Sequence, residues 1–319
     1  MTPRLILAAL LAAPLTASHA RSQPQNQPQS QSQSQPQTQS DAPAAHQQEP
    51  EPDTRPRIDT PRALLDALAA RDADIQTLQG EVRYTIIKTL AADLQQRYGD
   101  LFIRTVQTDR GPHEEYAVRF DTLVLDQRQM DIREHYIFDG RWFVERHHED
   151  KQFNKREIVP RGETLDPMAL MSQAPYWVSL GRNTERVIES YDLALEDPET
   201  WLETNTDHEA LTHLAPRVED HHHLLMRPKA GSPGEDDWES VRIWFDPETL
   251  LPRLYIKSDW TGDLQIVELF GIETNEPIDP VLFDTRTPPP ESGWRVQISP
   301  WRGDGSDETP RRDPANNDP

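Results

Sequence analysis

Apolar residues recur at helical spacing once near the start of the chain. Leu64, Leu65, Leu68, Ala69 and Ile75 follow Thr60-Pro61, an N-cap residue with proline at the first helical position, and Gly80 offers a stop. From Glu81 the period changes to two. Glu81–Leu90 (EVRYTIIKTL) places Val82, Tyr84 and Ile86 on one face, and Asp100–Val106 and His113–Leu125 continue the pattern. In the last of these Tyr116, Val118 and Phe120 alternate with Ala117 and Arg119. Tyr136–Phe138 and Trp142–Val144 flank Asp139-Gly140, the strongest short-range hairpin signal.

The middle of the chain reads less regularly. Asp166-Pro167 opens a short apolar helix carrying Met168, Leu170 and Met171, and aromatic Tyr176-Trp177-Val178 follows. A strand near Val187–Leu195 and a helix near Thr206–Leu214 are expected. The last third returns to strands: Leu224–Arg227, Ser240–Phe245, Pro252–Ser258 and Leu264–Phe270, with turns at Asp246–Thr249 and Thr261-Gly262. The predicted fold class is therefore α+β, mainly antiparallel β. One curled sheet of about 9–11 strands forms an incomplete barrel, with helices covering its concave face.

Composition divides the chain. Residues 1–20 read as an export signal: Arg4, the apolar run Leu5–Ala17, then small residues before a cleavage site at Ala20. That run is shorter than the roughly 20 residues a membrane span needs, so a chain that does not span the membrane and works outside the cytoplasm is expected. Residues 21–57 are almost all Gln, Ser, Pro, Glu and Asp, which cannot bury enough apolar area to fold. Residues 302–319 share that character, which leaves 58–301 as one domain, expected to be monomeric. The chain has no cysteine, so disulfides, thiol catalysis and thiolate metal sites are excluded. A net charge of −22 disfavours nucleic acid and anionic membrane surfaces as partners.

Two histidine groups raise metal chemistry. His147-His148-Glu149-Asp150 lies in HYIFDGRWFVERHHEDKQFNKREI, residues 135–158. Adjacent strand residues point to opposite faces, so only one of His147 and His148 could join a given site. In His221-His222-His223 only His221 and His223 share a face. No GxSxG, SxxK or P-loop motif is present. No cofactor and no catalytic residue is assigned, and an enzyme is not expected. The aromatic and methionine residues fit either a plain core or a lipid-sized cavity.

In order along the chain, LQGEVRYTI (78–86), GDLFIR (99–104), FDGRWFVERHHEDKQ (138–152), DPMALM (166–171), VRIWFDPETLLPRLYIKSD (241–259) and FGIETNEPIDPVLFD (270–284) resemble the LolA-like periplasmic outer-membrane lipoprotein carriers. The resemblance covers most of 60–290. It implies a half-barrel with an apolar concave face and an activity of carriage, not chemistry. The cargo would be acyl chains of lipoproteins or lipids, passed from an inner-membrane release complex to an outer-membrane acceptor. Under it, Tyr116, Val118, Phe120, Phe138, Trp142 and Val144 are the concave-face residues, and Met168, Leu170 and Met171 the lid. The family's Arg-Pro at the end of the second strand is replaced here by Arg104-Thr105. Two alternatives stand beside the carrier. One is a metal-dependent hydrolase joining His147 or His148 to His221 or His223; the other is a half-barrel interaction or sensor module of the cell envelope.

Overall fold

The computed structural model describes residues 58–301, other than 92, 110, 160–179, 206–208 and 233. Helix α1, Pro61–Asp74, starts as its sequence dictates: the Thr60 hydroxyl accepts a hydrogen bond from the Ala63 amide at 3.1 Å. It ends before Gly80, because strand pairing begins at Thr77 and Leu78. Gly80 lies within the first strand, where an added Cβ would stand 2.9 Å from the Phe270 carbonyl oxygen. The glycine serves a close backbone approach, not a helix stop.

Among the described residues twelve strands form one sheet that is not closed. They are β1 Thr77–Lys88, β2 Asp93–Thr108, β3 Gly111–Leu125, β4 Arg128–Phe138, β5 Trp142–His147, β6 Gln152–Glu157, β7 Tyr191–Glu196, β8 His222–Pro228, β9 Ser240–Phe245, β10 Pro252–Ser258, β11 Leu264–Thr274 and β12 Arg295–Ser299. Their order is β12-β6-β5-β4-β3-β2-β1-β11-β10-β9-β8-β7. All neighbours are antiparallel except β12, which runs parallel to β6.

Several elements depart from the sequence reading. β4 extends back to Arg128 because Asp126 and Gln127, at φ 50° and 62°, make a tight primed turn after β3. The segment expected as a strand near Val187–Leu195 is a helix, Thr184–Ser190, followed by β7. The helix expected near Thr206–Leu214 is two short helices, Thr200–Thr204 and Glu209–Thr212, before a tight turn at Ala215–Arg217.

Among the described residues the core falls into three clusters. The largest joins Leu64, Leu65 and Leu68 of α1 to residues of strands from β5, at one end, to β7 at the other. A sheet this wide gathers both ends into one cluster by curling toward that face, so the face under α1 is the inner one. On the outer face, Leu202, Leu211, Leu214 and Val218 pack on Trp244, Leu254, Ile256 and Ile266. Farther along, Phe283 packs on Ala117, Ile137, Val144 and Phe153.

Candidate functional site

The inner face is an aromatic and aliphatic surface built by strand alternation. Tyr116, Val118 and Phe120 of β3 all lie in the inner cluster, as does Phe138 of β4. Tyr84 on β1 stacks on Phe120 at 6.1 Å between ring centroids, although β2 runs between them. The β2 residue paired with Phe120 is Gly99, which has no side chain to keep the rings apart. Phe120 meets the edge of Tyr136 at 5.8 Å, Tyr136 stacks on Phe143 at 6.5 Å, and Tyr116 stacks on Phe138 at 5.2 Å.

Two of the expected concave-face residues are placed elsewhere. Val144 packs in the outer cluster with Ala117, Ile137 and Phe153, and Trp142, on the same alternation, lies under Lys155, whose ammonium is 4.9 Å from the ring centre. The reason is the turn. Asp139 Oδ1 accepts hydrogen bonds from the amides of Arg141 (3.0 Å) and Trp142 (2.7 Å), so four residues separate the pair Phe138 and Phe143, not the three that would set Trp142 opposite Phe138. That register puts Phe143 on the inner face in place of its neighbours. Gly140 completes the turn at φ 87°, with the His113 ring filling the place a Cβ would take. Met168, Leu170 and Met171 lie outside the described residues.

One end of this face is charged. Glu134 is held by Arg97 (3.1 Å), the Tyr136 hydroxyl (3.1 Å) and His147 (3.6 Å). Burial alone would raise the Glu134 pKa, but the hydrogen bond from His147 and the charge of Arg97 outweigh it and hold it at about 2. His147 is raised, chiefly by the same hydrogen bond. The inner-face phenols stay protonated: burial pushes Tyr84 up to about 12 and raises Tyr136 and Tyr255 as well.

A depressed carboxylate stabilises the fold above its ordinary pKa of 4.5, and that contribution is lost as pH falls toward about 2. A raised histidine contributes below its ordinary 6.5, and that part is lost as pH rises through the higher folded value. In urea unfolding at pH steps between 6 and 2, Glu134→Gln should therefore be less stable than the parent near pH 5–6. The gap should narrow steadily below about pH 4.5; a gap independent of pH would refute this account.

The histidines do not assemble. His147 is engaged with Glu134; His148 packs against His135 and Trp294 on the outer face; His223 stacks on Trp244 at 4.1 Å, its Nδ1 3.1 Å from the Asp197 carbonyl. β5 and β8 stand near opposite ends of the sheet. Among the described residues no group of three His, Asp or Glu side chains could hold a metal ion. Arg104 lies on the outer side too, bonded to Glu115 at 2.7 Å and over the Phe283 ring, so it cannot latch anything against the inner face. Sequence reading missed Phe143 and the Arg97–Glu134 end; the first was hidden by the turn length, the second by the distance between its members along the chain.

No family model matches the chain, and no curated protein does either. Among solved structures it is similar to an uncharacterized conserved protein of Thermus thermophilus (9% identity, TM-score 0.38, 75% of this chain and 97% of the other). It is also similar to a putative outer membrane lipoprotein-sorting protein domain of Vibrio parahaemolyticus (11%, 0.32, 70% and 95%). A third is a LolA superfamily protein of Nitrosomonas europaea (9%, 0.24, 70% and 97%). At these scores the likenesses bear no functional conclusion. The curled open sheet itself has the form that the LolA-like resemblance implies. Among the described residues no helix is long and apolar enough to cross a membrane.

Proposed function

We propose that this chain is a non-enzymatic carrier or binding module that holds acyl chains against the inner face of its curled sheet. The observation behind this reading is the imbalance on that face. Strands β1–β5 and β7–β11 turn a continuous apolar surface inward, while α1 sets Leu64, Leu65 and Leu68 against it. Such a surface rewards a long hydrocarbon ligand, since each methylene removed from water contributes about 0.8 kcal/mol. The aromatic rings supply shape without chemistry, and the Arg97–Glu134–His147 group marks one end where a polar headgroup would find partners. In this reading residues 1–20 export the chain to the periplasm. The cargo is a lipid or lipoprotein collected at the inner membrane and passed to an outer-membrane acceptor.

The test is saturable uptake of a fluorescent fatty acid by the purified mature protein. Wild type should bind, and Phe120→Glu should abolish binding by placing a carboxylate in the aromatic row. Ile132→Glu, at a less buried position beside the same cluster, should weaken it in a chain that keeps its fold. No saturable uptake by wild type would end the carrier reading.

A further inference from the structure

A second recess lies on the opposite face, with no part in the proposed acyl site. It is a groove of about 470 Å³ between the turn after Leu214 and strands β10 and β11. That size falls in the range of small-molecule sites, about 300–1,000 Å³. Leu214, Val218 and Leu254 supply apolar wall and Phe270 a half-buried ring, while Arg217 and Arg253 bring guanidinium groups to its lining.

Its charge is balanced, unlike that of the chain. Glu268, 5% exposed, is hydrogen-bonded to Arg83, with Arg217 at 3.6 Å and His213 at 3.9 Å. Arg253 reaches Asp246 at 3.3 Å, and Asp246 is already satisfied by the Thr249 hydroxyl and the amides of Glu248 and Thr249. On the lining Arg217 and Arg253 stand against Glu268 and Asp246, a balanced set in a protein of net charge −22, and Arg83 reaches Glu268 from outside the groove. The Arg217 side chain is 49% exposed and that of Arg253 33%, so both keep donors free for solvent or a ligand. His221, on the same lining, has a buried Nδ1 with no hydrogen-bond partner among the described residues.

We infer that this groove binds a small-molecule carboxylate with a compact apolar body. The carboxylate takes the donors of Arg217 and Arg253, and the body lies on Leu214, Val218, Leu254 and the Phe270 ring. Arginine suits this because its planar fork pairs with a carboxylate through two hydrogen bonds. An uncharged analogue would leave those donors unmatched.

Calorimetric titration of the full-length chain with 4-phenylbutyrate, and with 4-phenylbutanol as its neutral counterpart, tests this. The acid should bind saturably and the alcohol at least tenfold more weakly, the order expected of a charge-assisted pair. Arg217→Gln and Arg253→Gln should each weaken the acid about tenfold without changing the alcohol. Arg217→Lys, which keeps the charge and loses the fork, should fall between. Ile132→Glu, which weakens acyl binding on the inner face in a chain that keeps its fold, should leave the acid unaffected, so the two sites fail separately. Equal binding of acid and alcohol, indifference to both arginine substitutions, loss of the acid in Ile132→Glu, or no saturable binding would each overturn the assignment.

Discussion

Glu268→Ala is expected to destabilise the fold by about 3–5 kcal/mol, the cost of breaking a buried ion pair by removing one partner. The carboxylate sits 5% exposed among Arg83, Arg217 and His213, and the Arg83 side chain is itself only 17% exposed. Burial and the neighbouring charge of Arg217 already make protonated Arg83 harder to hold. Without Glu268 both arginines face each other uncompensated over Phe270 and the β1–β11 pairing. Glu268→Gln keeps an acceptor and the shape, so it should lose less than the alanine variant. Urea unfolding at neutral pH measures both. A loss below about 1 kcal/mol for Glu268→Ala would place the group with weak surface pairs and discard this account.

Gly99→Ala should be nearly as damaging for a steric reason. An ideal Cβ at this position would overlap the Arg119 carbonyl oxygen and stand 2.7 Å from its carbon. Both are backbone atoms of β3, which cannot rotate aside as a side-chain tip can. The β2–β3 register shifts between Tyr98 and Gly99, a bulge that sets Gly99 against the β3 backbone. Relief requires breaking that bulge, and we expect about 3 kcal/mol or more. The Tyr84–Phe120 stack beside it should loosen as well. A thermal melt supplies the first figure. A drop in acyl-probe affinity larger than that of a destabilised control elsewhere in the sheet supplies the second; an alanine variant with parental Tm would refute the clash.

Where a turn is specified by its own residues, the sequence reading and the structure coincide. Asp246 accepts from the amides of Glu248 and Thr249 and from the Thr249 hydroxyl, so β9 and β10 begin and end where alternation places them. Thr60-Pro61 likewise starts α1 unaided. The outer half of β4, RQMDIREH, carries no alternation to read because most of it faces solvent. β12 is short and exposed, and its partner β6 lies about 140 positions back, so nothing local announces it. Face assignment failed at Trp142 and Val144 because alternation was carried through a loop whose length depends on two hydrogen bonds accepted by Asp139. The candidate site was thus legible on β3, where one unbroken strand fixes the parity. It was obscured on β5, where a turn intervenes.

The pairing of β1 with β11 divides the sheet into two meanders, β1–β6 and β7–β11, each built from neighbours along the chain. Across the join, Tyr84 pairs with Val267, roughly 180 positions away. Hairpins on either side can form from local contacts, but the join must wait until nearly the whole domain is present and its long loop has closed. Until then each half exposes an unpaired edge beside an apolar face. The join is thus the late, rate-setting step in assembling the inner surface, and the place where an unfinished molecule is most open to pairing with another.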